Sequence, residues 1–196
     1  MLPQLVPLIL FGIAAGFSPG PNNIVTSHSA FNFGFKKTIP TMLGVISGWT
    51  LLSIILVFGA GIIFKKFAEL QIIIKIFGSV YLIFLAYKIS FNKTKKKNKS
   101  LKPISFLNTF LFQFVNPKSI IAGLTAVSLF VDTQNNFFQD SIIFVIVMFF
   151  IAIGSQAIWC LMGTYLRKFA TSEKFINNFN YTMSFLLIVC VIMFYV

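Results

Sequence analysis

The sequence predicts an all-α integral membrane protein of about six transmembrane helices, built as two inverted three-helix repeats whose first helices are broken by proline. Three observations carry this expectation. The 196 residues are 57% hydrophobic and 10% charged and include 26 phenylalanines, more apolar surface than a soluble domain of this length can hide. Six runs without deep charge, at about 3–27, 39–64, 68–90, 105–130, 138–165 and 176–196, each approach or exceed the roughly 20 residues that cross a bilayer. Two of these runs are interrupted in corresponding places, by Ser18-Pro19-Gly20-Pro21-Asn22-Asn23 and by Gln113-Phe114-Val115-Asn116-Pro117-Lys118.

The first run has no Lys or Arg ahead of Leu5–Ala15 and no small-residue cleavage site, so it is expected to remain as a helix rather than leave as a signal peptide. Gly12, Gly16 and Gly20 recur along one of its faces, and Gly44 and Gly48 do the same in the second run. Such faces let neighbouring backbones approach closely; packing within the chain is the expected use and a homodimer seam the alternative. In the third run Lys75 is expected to snorkel its charge to the surface. A basic segment at 93–102 then divides one membrane domain, 1–196, into halves 1–92 and 103–196. The fourth run repeats the break, and the last two hold Trp159, expected to pack or to sit near an interface, with Cys160 and Cys190, which read as small buried hydrophobes. Three spans per half invert the second half, so the two breaks approach the midplane from opposite sides.

The formal charge of +12 is unevenly placed. Lys36 and Lys37, then Lys88, Lys93, Lys95, Lys96, Lys97, Lys99 and Lys102, then Arg167, Lys168 and Lys174 crowd three connections. By the positive-inside rule these face the cytoplasm, which puts both termini on the other side. Asp132, in a connection without Lys or Arg, agrees; Lys65 and Lys66 disagree. The Lys93–Lys102 segment is a solvated inner loop touching anionic membrane lipid, not a nucleic-acid site.

The breaks are where chemistry is expected. Proline removes an amide donor and clashes with the preceding turn, which frees carbonyls at a depth where each unsatisfied group costs several kcal/mol. Such breaks survive where they line a protein-enclosed cavity, and a matched pair is the sequence pointer to a secondary transporter's binding site. The candidate substrate-binding residues are Pro19, Gly20, Pro21, Asn22, Asn23, Gln113, Asn116, Pro117 and Lys118. The freed carbonyls suit a substrate ammonium and the exposed helix N-termini suit its carboxylate, which together describe a small zwitterion. The asparagines have a second reading, as patches on broken backbone. None of the four acids, Glu69, Asp132, Asp140 and Glu173, lies deep in a span, so Lys118 either meets the substrate's carboxylate or else snorkels or caps freed carbonyls. His28, near the end of the first run, is either a proton shuttle or a polar edge residue.

One histidine, two separated cysteines and no paired deep carboxylates give neither a metal set, nor a cofactor, nor an enzyme's nucleophile and base. A passive channel would carry polarity along several helices, whereas here it is concentrated at two breaks. A channel or a structural membrane protein is the reading from another class.

These residues resemble the LysE/RhtB family of bacterial amino-acid exporters along nearly the whole chain. Ser18-Pro19-Gly20-Pro21-Asn22-Asn23, Asn32-Phe33-Gly34-Phe35-Lys36-Lys37-Thr38-Ile39-Pro40 and Leu43-Gly44 to Gly48 carry the likeness in the first half. Lys102-Pro103-Ile104-Ser105-Phe106, Gln113 to Lys118, Gly123, Thr125-Ala126 and Ser128 to Val131 resemble the cysteine and O-acetylserine branch. Thr38 stands where many relatives carry glycine, and the position of Pro117 varies in the branch. The resemblance implies proton-driven export of a small amino acid across the bacterial inner membrane, with homoserine or threonine as the alternative substrates.

Overall fold

The computed structural model describes residues 2–60, 68–90, 103–131, 137–170 and 172–195. The basic segment 93–102, Lys65, Lys66 and Asp132 lie outside the described residues. The described residues form eight α-helices: α1 (Leu2–Phe17), α2 (Pro21–Phe33), α3 (Phe35–Ile55, continued by a π-helical turn Leu56–Ala60), α4 (Ala68–Ser90), α5 (Phe106–Phe112), α6 (Pro117–Phe130), α7 (Phe137–Arg167) and α8 (Glu173–Met193). Four stretches, Phe35–Gly59, Ile72–Ser90, Phe137–Arg167 and Glu173–Met193, are long and apolar enough to cross a bilayer unbroken. The remaining four helices form two bent pairs, α1 with α2 at 54° and α5 with α6 at 53°. Counting each pair as one span makes six, in the places the apolar runs predict.

Local chemistry sets the boundaries. Pro21 and Pro117 stand at the first turn of α2 and α6, where a missing N–H costs nothing. Gly34 turns α2 into α3 at φ 86°, a conformation costly for side chains with a Cβ, and its N–H donates to the Ala30 carbonyl at 2.8 Å. Ser105 and Ser172 cap α5 and α8 by accepting the amides of Asn108 and Phe175.

Helix α7 is the central post, packed against α1, α2 and α3, while α4 pairs with α8 and α3 with α5. The bundle presents Phe77, Phe84, Phe150 and Phe185 outward, the arrangement expected of a surface solvated by lipid. Both glycine faces are used inside the chain. Gly12 and Gly16 receive Ile151 of α7, Gly44 lies on Thr109 and the Phe106 carbonyl of α5, and Gly48 lies on the Phe110 carbonyl and Gln113. Cys160 and Cys190 are buried free thiols, as their apolar settings imply.

His28 corrects the edge reading. At 4% exposure it lies enclosed in α2, because the bent pair runs on to Phe33 and carries residue 28 inside the bundle. Asp140 is likewise buried, in the first turn of α7, so enclosure by protein and depth along a span are different things here.

A side chain at Gly48 meets backbone of α5, since an added Cβ would stand 2.6 Å from the Phe110 carbonyl, whereas one at Gly154 finds only Phe17 at 3.4 Å. Gly48→Val should therefore destabilise the protein by about 1–3 kcal/mol and Gly154→Ala by little. Thermal denaturation in detergent checks this; equal midpoints for the two variants would refute the close α3–α5 packing.

Candidate functional site

The end of α1 leaves carbonyls that no following helical turn can satisfy, and side chains cover each in turn. Ser18 Oγ donates to the Ala15 carbonyl at 2.9 Å. The Gly16 carbonyl accepts from Asn23 Nδ2 at 2.8 Å and Ser155 Oγ at 2.7 Å. Trp159 Nε1 donates to the Phe17 carbonyl at 3.2 Å. The Ser18 carbonyl accepts from Asn23 Nδ2 at 3.0 Å and Lys118 Nζ at 3.2 Å, and the Pro19 carbonyl accepts from Lys118 Nζ at 3.1 Å.

The second break is closed differently, by its own chain. The amides of Gln113, Phe114 and Val115 fold back onto the carbonyls of Phe110, Leu111 and Phe112, and Gln113 Nε2 donates to the Thr109 carbonyl at 2.9 Å. Asn116 caps α6, its Oδ1 accepting from the Lys118 amide at 3.2 Å. At the start of α2 the cap is Gly20, with no side-chain cap.

Two amide networks tie these ends together. Asn22 and Gln113 form a reciprocal pair, each side-chain NH₂ donating to the other's carbonyl oxygen at 2.9 Å. Asn116 Nδ2 reaches Asn22 Oδ1 at 3.4 Å, and Ser119 Oγ donates to Gln113 Oε1 at 3.2 Å. The other network joins Asn23 to α7: Gln156 Nε2 and Ser155 Oγ donate to Asn23 Oδ1 at 2.9 and 3.3 Å, and Thr26 Oγ1 donates to Gln156 Oε1 at 2.5 Å. Asn23 and Gln113 are buried with both ends of their amides engaged, so each acts as a fixed staple.

Lys118 takes the carbonyl-capping position read for it from the sequence. Besides the two carbonyls, its Nζ donates to Ser18 Oγ at 2.8 Å, so three acceptors meet the three hydrogens of the ammonium. The side chain lies across Gly20, where an added Cβ would stand 2.6 Å from Nζ.

Between the breaks lies a cavity of about 80 Å³. At roughly 30 Å³ for each water, it has room for about two or three. Gly20, Pro21, Asn22, Asn23, Asn116 and Lys118 all line it. The other three candidates stand behind it: Pro19 is exposed beside the break, Gln113 is buried under Asn22, and Pro117 packs on Gly78 of α4. The opposite wall comes from α7, through Met148, Ile151, Ser155 and Gln156, with Trp49 of α3. Sequence reasoning passed over Ser155, Gln156 and Thr26, and read Trp159 as a packing residue. The available signal was the adjacent Ser155-Gln156 pair inside the apolar fifth run, since polar residues within a span are functional or structural nodes. His28 stands apart from these networks; neither ring nitrogen has a hydrogen-bond partner among the described residues.

A lipid-facing helical bundle with a small, mostly apolar cavity that holds a few polar side chains between two matched helix breaks defines a multi-pass membrane transport protein. The chain belongs to the LysE type translocator family, whose model matches residues 13–196. It is similar to a cysteine/O-acetylserine efflux protein of Escherichia coli O139:H28 (strain E24377A / ETEC), 29% identical over 185 residues that cover 93% of this chain and 92% of the relative. The cysteine/O-acetylserine efflux protein of Shigella flexneri serotype 5b (strain 8401) is 28% identical over 196 residues, covering 96% and 98%. That of Escherichia coli (strain K12) is 28% identical over 185 residues, covering 93% and 92%. No solved structure matches the chain significantly.

Asn23→Ala removes a donor from two freed carbonyls and leaves the Gln156 amide facing a void, a loss of about 1–3 kcal/mol. Trp159→Phe removes one hydrogen bond and should cost less, near 1 kcal/mol. Denaturation midpoints should fall in that order; an Asn23→Ala variant as stable as the parent would contradict the staple.

Proposed function

We propose that this protein exports small neutral amino acids, cysteine and O-acetylserine foremost, from the cytoplasm across a bacterial inner membrane. The observation that carries the reading is the cavity between the breaks, where Asn22, the uncapped start of α2, Asn116 and Lys118 meet opposite α7. Its small size suits a small solute better than one with a long side chain. Uncapped amides at the start of α2 and the Lys118 ammonium favour a carboxylate, and the carbonyl end of α1 favours an ammonium. The named activity of the relatives, cysteine/O-acetylserine efflux, supports the same substrates.

Transport proceeds by alternating access. The two bent pairs, matched in angle and in their place within each half, support an inverted repeat in which one half rocks against the other around the site. Both termini then lie outside the cytoplasm, and the proton gradient drives export.

Counterflow in liposomes tests this. Labelled cysteine and O-acetylserine should exchange, threonine more slowly and lysine hardly at all, and an opposing proton gradient should raise flux. Asn22→Ala and Lys118→Gln should each lower kcat/KM by about tenfold or more, the loss of a hydrogen bond worth about 1.4 kcal/mol or more in the loaded site. Folded protein that exchanges no amino acid would overturn the proposal.

A further inference from the structure

Building on the reading of the cavity as an amino-acid site, we propose that Lys118 is a tethered stand-in for the substrate's ammonium. The substrate binds by inserting itself between the Lys118 ammonium and the carbonyls of Ser18 and Pro19.

The hydrogen-bond count leads there. Nζ donates to Ser18 Oγ, Ser18 O and Pro19 O at 2.8, 3.2 and 3.1 Å, which commits every hydrogen an ammonium has. A carboxylate arriving at Lys118 finds no hydrogen to accept unless the lysine leaves those oxygens. An ammonium arriving at the oxygens finds them occupied by another cation. Either ion alone leaves a half-buried polar group at the break without its partner, a loss that its one new contact must offset.

A zwitterion resolves both at once. Its ammonium takes over the Ser18 and Pro19 carbonyls, its carboxylate takes the displaced Lys118, and the buried net charge is unchanged. The two charged groups of an α-amino acid are about 3 Å apart, so the lysine retreats by a few ångströms, within the play of its flexible four-carbon stem. Gly20 makes the starting arrangement possible, because the stem crosses its Cα where a side chain would stand.

The same exchange links binding to movement. Lys118 belongs to the second break and its acceptors to the first, so the Lys118 contact is a latch between the halves. Substrate breaks that direct contact and replaces it with a longer, bridged one. Selection for a free α-ammonium together with a free carboxylate follows from the exchange, independently of the side chain.

The test is competition against labelled cysteine counterflow by unlabelled cysteine, by 3-mercaptopropionate, which lacks the ammonium, and by cysteamine, which lacks the carboxylate. With the parent protein, cysteine should compete best, mercaptopropionate next and cysteamine worst, about tenfold or more below cysteine, because it leaves a second cation beside the half-buried Lys118 without a partner. In Lys118→Met the last two should change places: the carbonyls stand open to cysteamine and the carboxylate has lost its cation. A Lys118→Met variant weakened equally toward all three compounds would reduce Lys118 to a structural prop and overturn the proposal. The parent ranking keeps the test decisive if that variant does not fold, since cysteamine competing as well as mercaptopropionate would refute the exchange. Parent protein that exchanges cysteine yet ranks the compounds wrongly overturns only the exchange; parent protein that exchanges no amino acid overturns the amino-acid site itself.

Discussion

Carbonyl groups released inside an apolar bundle govern the architecture of this protein. Prolines at 19 and 21 end α1 inside the bundle, and each carbonyl from Ala15 to Pro19 finds a donor. The donors come from α2 through Asn23, from α6 through Lys118, and from α7 through Ser155 and Trp159, with Ser18 serving its own turn. Three helices are thereby fixed around one helix end. The cavity is the space they leave, and Asn23, Lys118 and Ser155 belong to the polar part of its lining.

The two breaks share a bend angle and differ in how they are satisfied. The second folds its amides back onto its own carbonyls and caps α6 with Asn116, so it is a closed unit that offers a surface. The first depends on side chains from elsewhere, and one of these is a flexible cation. Satisfaction by a flexible donor can be exchanged for satisfaction by a ligand, whereas a backbone turn cannot be exchanged without unfolding it. Asn23 and Gln113, engaged at both ends of their amides, keep the frame in place while such an exchange occurs.

Much of this was legible in the sequence. Hydropathy marks the spans because lipid demands apolar length, and the proline-asparagine clusters mark the breaks, whereas the isolated Pro7 and Pro40 stay inside α1 and α3. Ser155-Gln156 was legible as a polar pair in an apolar run, but the meeting of Gln156 with Asn23 is a property of the folded bundle. His28 was misplaced because a straight span of ordinary length was drawn where a bent pair of helices runs farther. Of the partners read for Lys118, the carbonyls are the ones it meets: a helix starts at Pro117, and the lysine in its first turn reaches across to the end of α1. Distance along a sequence measures depth only while the helix stays straight.

The central claim is that substrate sits between the breaks with its carboxylate on Lys118. Solid-state NMR recoupling between the carboxyl carbon of ¹³C-labelled cysteine and ¹⁵Nζ of lysine, in protein reconstituted in bilayers, measures that contact directly. The account predicts a separation of about 4 Å, the spacing of a charge-assisted pair, which vanishes in Lys118→Met. Bound cysteine without recoupling to any lysine nitrogen would contradict it.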